Sequence, residues 1–304
     1  MGLGLAALGR PGYINLGHGS DLGGHTDEAS MEQGAHRVLD AACAGGVRYF
    51  DAARSYGRAE SFLGSWLERR ALGPGQVTIG SKWGYTYTAG WRVDAPVPEV
   101  KDLSVDTLRR QLAESRSLLG PALRLYQIHS ATVDSGVLDD AAVLEELARQ
   151  RENGLAIGLT VTGPGQSRTI LRALDVGGFD TVQATWNLLE RSAEDALSEA
   201  HAAGLGVIVK EPLANGRLAG RDAIPVLRQA ALDLGTTPDA LALAVVLAQP
   251  WVTVALSGAA TVGQLESNLG ALEVQPRLET VEQLDRLRED PVAYWQTRAA
   301  LPWN

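Results

Sequence analysis

Short apolar, β-branched runs alternate along the chain with longer amphipathic stretches rich in Ala, Leu, Arg and Glu. Eight such runs stand out, at residues 2–8 (GLGLAAL), 47–50 (VRYF), 77–81 (VTIGS), 123–128 (LRLYQI), 155–161 (LAIGLTV), 181–185 (TVQAT), 206–210 (GVIVK) and 252–257 (VTVALS). A helical stretch follows each one, so the pattern predicts eight βα units around a parallel sheet. Glycine closes the helix before the next strand at CAGGVRYF, ENGLAIGL, DVGGFDTVQ and HAAGLGVIV, where it supplies the left-handed backbone of a helix C-cap. Eight units with no switch in strand order predict a closed (β/α)8 TIM barrel of eight parallel strands rather than an open doubly wound sheet. Helical stretches at 238–249 and 279–290 are expected as additions to the outer ring near the C-terminal end.

A chain of 304 residues fits one such barrel, and the Pro/Gly-rich interruptions at 73–75, 90–98 and 163–165 have the length of loops, so residues 1–304 are expected to form a single domain. The longest irregular stretch, residues 84–102, follows the third strand and carries Tyr85, Tyr87 and Trp91. On a barrel it would hang over the active-site mouth as a substrate-covering loop, the alternative being a solvent-facing insertion with incidental aromatics. With 45% hydrophobic and 21% charged residues the composition is that of an ordinary globular enzyme. The net charge of -9 argues against a nucleic-acid or anionic membrane partner, both of which need a basic footprint. The single cysteine, Cys43, excludes an internal disulfide framework and reads as a packing residue. The N-terminus lacks the basic flank and length of a secretory signal, and no run of about 18 apolar residues is present, which points to a cytoplasmic protein.

Active sites of such barrels form where the strands end at their C-terminal rim. Three consecutive strand candidates end there in titratable residues: VRYF in Asp51, VTIGS in Lys82 and LYQI in His129. Tyr56, in the turn DAARSYG, is close enough to curl over the same rim. A tyrosine with a reference pKa near ~10 is a poor proton shuttle at neutral pH, and a nearby cation favours its ionised form. At an effective dielectric of ~20 a charge ~4 Å away is worth ~4 kcal/mol, so Lys82 is expected to bring Tyr56 towards working pH. Asp51 would hold the lysine, and His129 would orient a carbonyl oxygen that Tyr56 protonates. Taken singly each residue is more often a loop anchor or a packing group; together they form a candidate catalytic set.

FDAARSYG, GSKWG, YQIHS, QATWNLLER and KEPLANGRL stand in this order along the chain, and their sequence resembles the successive signatures of the aldo-keto reductase superfamily. The resemblance implies NAD(P)H-dependent reduction of an aldehyde or ketone, or oxidation of the matching alcohol. It makes Tyr56 the general acid, tuned by Lys82 and Asp51, with His129 on the carbonyl. NADP(H) is the implied cofactor, with NAD(H) as the other possibility. The family pattern gives it Gln183 at the nicotinamide carboxamide, Leu213, Gly216 and Leu218 at the pyrophosphate, and Gly258, Gln264 and Asn268 at the adenosine end. Gly4, Thr160 and Lys210 complete the cofactor set. Tyr85, Trp91 and Trp186 are the expected substrate contacts, with Trp83, Trp295 and Trp303 as further pocket aromatics; core packing alone would account for at least half of the tryptophans.

Three departures from the family pattern concern the cofactor. Thr160 and Val161 replace the usual Ser-Asn, Lys210 replaces the aromatic residue that stacks on the nicotinamide, and residues 257–268 contain no Lys or Arg for a 2′-phosphate. They predict dual or weakened cofactor preference, with the Lys210 amine pairing with Glu211 or a phosphate. They also motivate two rival readings: a cofactor-binding regulatory or sensor barrel with little turnover, and a lyase or isomerase with Lys210 as nucleophile. His18 and His25, with Asp21 and Asp27, match no compact metal-ligand spacing, so no metal site is expected; His36 and His201 read as surface or packing residues.

Overall fold

The computed structural model describes residues 1–220 and 223–304. Its strands are β1 (Gly2–Gly4), β2 (Tyr49–Asp51), β3 (Thr78–Trp83), β4 (Tyr85–Tyr87), β5 (Glu99–Lys101), β6 (Leu123–Ala131), β7 (Ala156–Val161), β8 (Thr181–Thr185), β9 (Gly206–Lys210) and β10 (Val254–Ser257). Eight of them close a parallel (β/α)8 barrel in the order β1-β10-β9-β8-β7-β6-β3-β2, while β4 and β5 form a separate antiparallel hairpin. The expected barrel is therefore present, and both β8 and β9 have the expected bounds. The segment predicted as strand 2–8 departs from expectation. β1 stops at Gly4, because Leu8 and Gly9 both donate to the Leu5 carbonyl and turn the chain at the rim.

Side chains alternate between the barrel interior and the helix layer, as the period of two along a strand requires. Leu125, Ile208 and Leu256 meet inside the barrel with Tyr49, Ala156 and Val254 packed on them. Val207, Val209 and Ala255, one residue out of step, join the large core beneath the helices. Two residues beyond the apolar interior layer the same strand faces present Asp51, Gln127 and Lys210. The registers Asp51 with Gly4 and Gly80, Lys82 with Gln127, Thr160 with Gln183, and Thr185 with Lys210 bring the polar residues of neighbouring strands to one level. Gly80 makes room inside the barrel: a Cβ there would lie 3.0 Å from Tyr49 Cζ and collide with its hydroxyl.

Helices Pro238–Leu247 and Leu278–Asp285 occupy the two additional C-terminal stretches, and a further helix, Pro291–Ala299, follows them. Several helices start from a side-chain cap: Ser104, Asp140, Thr237 and Thr261 each accept from a backbone amide three residues on. Among the described residues no single helix is long and apolar enough to cross a membrane.

The turn after β1 and the turn carrying Tyr56 are in direct backbone contact, with Arg58 N donating to the Gly9 carbonyl at 2.7 Å. A Cβ on Gly9 would lie 2.5 Å from Ala59 Cβ and would overlap the Tyr56 carbonyl oxygen. Gly9→Ala is therefore expected to destabilise the protein by about 1–3 kcal/mol through overpacking, read as a lower midpoint in urea unfolding. An unchanged midpoint would show that the two turns separate at no cost.

Candidate active site

Asp51 closes β2 with its carboxylate buried in the barrel mouth, where four side chains donate to it. Lys82 Nζ donates to Oδ2, while the Tyr49 hydroxyl at 3.0 Å, Gln127 Nε2 at 3.2 Å and Gln183 Nε2 at 3.1 Å donate to Oδ1. Lys82 also donates to the Ala52 carbonyl at 2.9 Å, and both members of the ion pair are at most 2% exposed. Above this pair lies Tyr56, with Lys82 Nζ 4.8 Å from its ring centre. The rings of His129 and Tyr56 meet in a T-shaped contact at 5.5 Å between centroids, and Ser55 Oγ lies 3.4 Å from His129 Nδ1. The four expected catalytic residues are thus brought together at one rim.

Their electrostatics differ from the expectation in one respect. Burial pushes the Tyr56 phenol well above the ordinary tyrosine range, and the Asp51 charge pushes it further, against an opposing pull from Arg10. The Lys82 charge is already matched by Asp51 in the same buried pair, so it does not bring the phenol down to neutral pH. Tyr56 is held as a protonated hydroxyl, the form a proton donor needs. Burial, helped by the charges of Lys82 and Lys210, keeps His129 well below its usual range and hence neutral.

A cavity of about 990 Å³ runs from these residues across the mouth. Its walls include Gly4, Thr160, Gln183, Lys210, Leu213, Gly216, Gly258, Gln264 and Asn268, nine of the ten residues assigned to a cofactor by resemblance. Leu218 is the exception: it is fully buried, its amide donates to the Leu213 carbonyl, and its side chain belongs to the core. Thr160 Oγ1 accepts from Ser130 N at 2.7 Å. Lys210 does not pair with Glu211 directly. Its amine donates to Thr185 Oγ1 at 3.0 Å, and burial lowers its pKa to about 8. Glu211 is taken instead by Arg298, whose Nε lies 3.0 and 2.9 Å from its two oxygens.

The long segment after β3 covers the mouth as the β4–β5 hairpin, which pairs Tyr85 with Lys101 and Tyr87 with Glu99. Tyr85 and Glu99 line the cavity, and Tyr85 packs its ring 5.0 Å from His129. The structure does not bring Trp91 or Trp186 to the cavity. Trp91 donates its indole N–H to the Thr26 carbonyl at 2.6 Å and packs on Phe62. Trp186 follows Thr185, which faces Lys210, so alternation turns its ring outward onto Trp251 at 5.4 Å. Trp83 and Trp295 are likewise buried away from it, whereas Trp303 lines it. His18 is buried against the Arg10 carbonyl, 3.4 Å away, and His36 against the Phe62 carbonyl at 3.0 Å; His201 is exposed.

A model of the Aldo/keto reductase family matches residues 14–289. The chain belongs to this family. It is 27% identical to the uncharacterized oxidoreductase YrpG of Bacillus subtilis over 93% of this chain and 94% of that protein. It is 29% identical to pyridoxal 4-dehydrogenase of Microbacterium luteolum over 62% of this chain and 58% of that one. Its fold matches that of aldo-keto reductase AKR11C1 from Bacillus halodurans with a TM-score of 0.73 at 21% identity, covering 95% and 92% of the two chains. This aldo/keto reductase is an oxidoreductase of a family that uses a nicotinamide cofactor.

The cavity fits such a dinucleotide in two observable ways. Gln183 places its N–H on Asp51 and so leaves its carbonyl for a donor in the cavity. The buried Asn215 Oδ1, in the turn between Leu213 and Gly216, has no partner. Other cavity residues of this aldo/keto reductase were not among the expected site residues. Arg10, Tyr13, Glu99, Glu211 and Arg298 come from the loop after β1, the hairpin, the end of β9 and the last helix. Only Glu211 stood in a recognisable motif; Arg298 reaches it across 87 residues of chain.

The Glu211 and Arg298 pair is partly buried, and Arg298 holds the Glu211 carboxyl down to about 2. Replacing Arg298 by Met leaves a partly buried carboxylate without its main partner and is expected to cost about 1.5–3 kcal/mol at neutral pH in guanidinium unfolding. Because the folded pKa is depressed, the stabilisation is complete above the unfolded carboxylate value and is lost as pH falls through the folded one. The difference between wild type and variant should therefore shrink between about pH 4.5 and pH 2.

Proposed function

We propose that this protein is an NAD(P)H-dependent carbonyl reductase acting on an aldehyde or ketone, with Tyr56 as the general acid. One observation carries the reading: a protonated phenol, a buried Lys82–Asp51 pair and a neutral imidazole meet at the end of one cavity. When bound, NADPH or NADH supplies the hydride that reduces the carbonyl carbon. His129, being neutral, offers a ring N–H to the carbonyl oxygen without placing a full charge there. Tyr56 gives its proton to that oxygen as negative charge develops on it, and Lys82 stabilises the phenolate left behind. Gln183, Thr160 and the turn from Leu213 to Gly216 are the residues that would hold the cofactor. In the reverse direction the same groups take the proton from an alcohol.

The substrate end is lined by Tyr13, Tyr85 and Trp303. These aromatics favour a carbonyl compound with a ring-bearing or apolar body, as does the similarity to a protein named for its action on pyridoxal, a ring-bearing aldehyde. At the adenosine end the Asp239 carboxylate lines the cavity, and among the described residues 257–268 there is no cation. That supports acceptance of NADH as well as NADPH. Internal location, in the cytoplasm, is part of the same proposal.

The test is cofactor oxidation with a panel of aldehydes, ketones and sugars, for wild type and Tyr56→Phe. A fall in kcat of at least roughly a hundredfold in the variant is expected for loss of a general acid. Undiminished turnover would remove Tyr56 from its role, and tight cofactor binding without turnover on any substrate would favour a sensor. In fluorescence titrations the dissociation constants for NADPH and NADH are expected to differ by less than about a hundredfold, ~2.7 kcal/mol.

A further inference from the structure

Charge faces the Tyr56 phenol from every side of the mouth. Asp51, Lys82 and His129 come from β2, β3 and β6, and Lys210 with the Glu211 and Arg298 pair lies across the cavity. The phenols of Tyr13 and Tyr49, both pushed up by burial, also interact with it. Arg10 joins a cationic contact on the Tyr56 ring to a hydrogen bond with the backbone beside it. It lies in the loop after β1, outside the barrel strands, and is only 3% exposed. Its guanidinium carbon is 5.2 Å from the Tyr56 ring centre, 5.0 Å from that of Tyr13 and 4.6 Å from that of Trp303. Nη1 donates to the carbonyl of Ser55, the residue preceding Tyr56, at 3.0 Å, and also to the Glu99 carboxylate on β5.

We propose that Arg10 is a positioning residue for proton transfer: it fixes the Tyr56 turn through the Ser55 carbonyl and, with Glu99 as its counter-charge, sets the pH at which the phenol gives up its proton. A guanidinium stays charged at any working pH, so Arg10 acts as a permanent positive charge on the face of a buried ring. Lys82 has its charge matched by a carboxylate on the adjoining strand, inside the barrel. Arg10 has its match on the covering hairpin, so the hairpin takes part in the electrostatics of the donor as well as in covering it. Arg10 and Glu99 act on the phenol with opposite sign, the first lowering and the second raising its pKa.

This inference rests on the reading of Tyr56 as the proton donor, and opposite signs give it a distinctive test. Reduction of the best carbonyl of the panel, benzaldehyde first, is followed against pH for wild type, Arg10→Met, Arg10→Lys, Glu99→Gln and Tyr56→Phe. Activity that needs a protonated phenol falls as pH rises through its pKa. Because the phenol lies above the ordinary tyrosine range, the variants are compared by the pH at which kcat first leaves its plateau: Arg10→Met should move this onset up by about one pH unit, Arg10→Lys should restore most of the difference, and Glu99→Gln, which keeps an acceptor for Arg10, should move it down. A purely structural Arg10 would lower kcat or raise KM without moving the limb. If Arg10→Met does not fold, Glu99→Gln alone decides. A limb that disappears in Tyr56→Phe yet stays in place in Glu99→Gln and in any folded Arg10 variant overturns the inference. A limb that survives in Tyr56→Phe overturns the proton-donor reading itself.

Discussion

The candidate active site is built around a single buried carboxylate, that of Asp51. Asp51 receives hydrogen bonds from Lys82, Tyr49, Gln127 and Gln183, which come from β3, β2, β6 and β8. Removing two charges from water costs several kcal/mol per ion, and their attraction offsets this only where geometry is good and the remaining donors and acceptors are filled. The barrel meets that condition by converging several strand ends on one carboxylate. Lys82 is consequently fixed beneath Tyr56, and Gln183 is turned with its carbonyl towards the cavity.

The other charges at the mouth are arranged on the same principle but kept apart from it. Glu211 is bound by Arg298 and Thr185, Arg10 by Glu99, and Lys210 by a neutral hydroxyl and the face of the Trp295 ring. Lys210 is thus the cavity cation whose charge is least compensated by a direct partner, which is reflected in its lowered pKa. Ser130 and Glu211, at or just past the ends of β6 and β9, both take left-handed backbone conformations with φ of 55° and 53°. Such conformations are costly for residues with a Cβ and persist where surrounding contacts impose them. Here those contacts are Thr160 on the Ser130 amide and Arg298 on the Glu211 side chain.

Periodicity made the barrel legible, because β-branched runs such as TVQAT and GVIVK could be nothing but buried strands once glycine-capped helices preceded them. It failed at Leu5–Leu8, where an apolar run continues past the rim and turns, since burial under a loop demands the same residues as burial in a sheet. Asp51, Lys82 and His129 were legible because each directly follows such a run. Trp186 was misplaced because a motif fixes position along the chain, whereas the side to which a ring points depends on strand alternation. Arg10 and Arg298 had no local signal: their partners are set by the closed barrel and by the last helix packing back on it.

Barrel closure has a consequence for how the chain acquires its shape. β1 is hydrogen-bonded to β2 on one side and to β10 on the other, so the first strand in the sequence must pair with the last. Until the segment Val254–Ser257 emerges during synthesis, the growing sheet has two open edges, each a template for wrong pairing. The interior of that open sheet would already present Asp51 and Lys82 to water. Complete desolvation of the pair therefore requires the closed barrel, with β1 paired to β10.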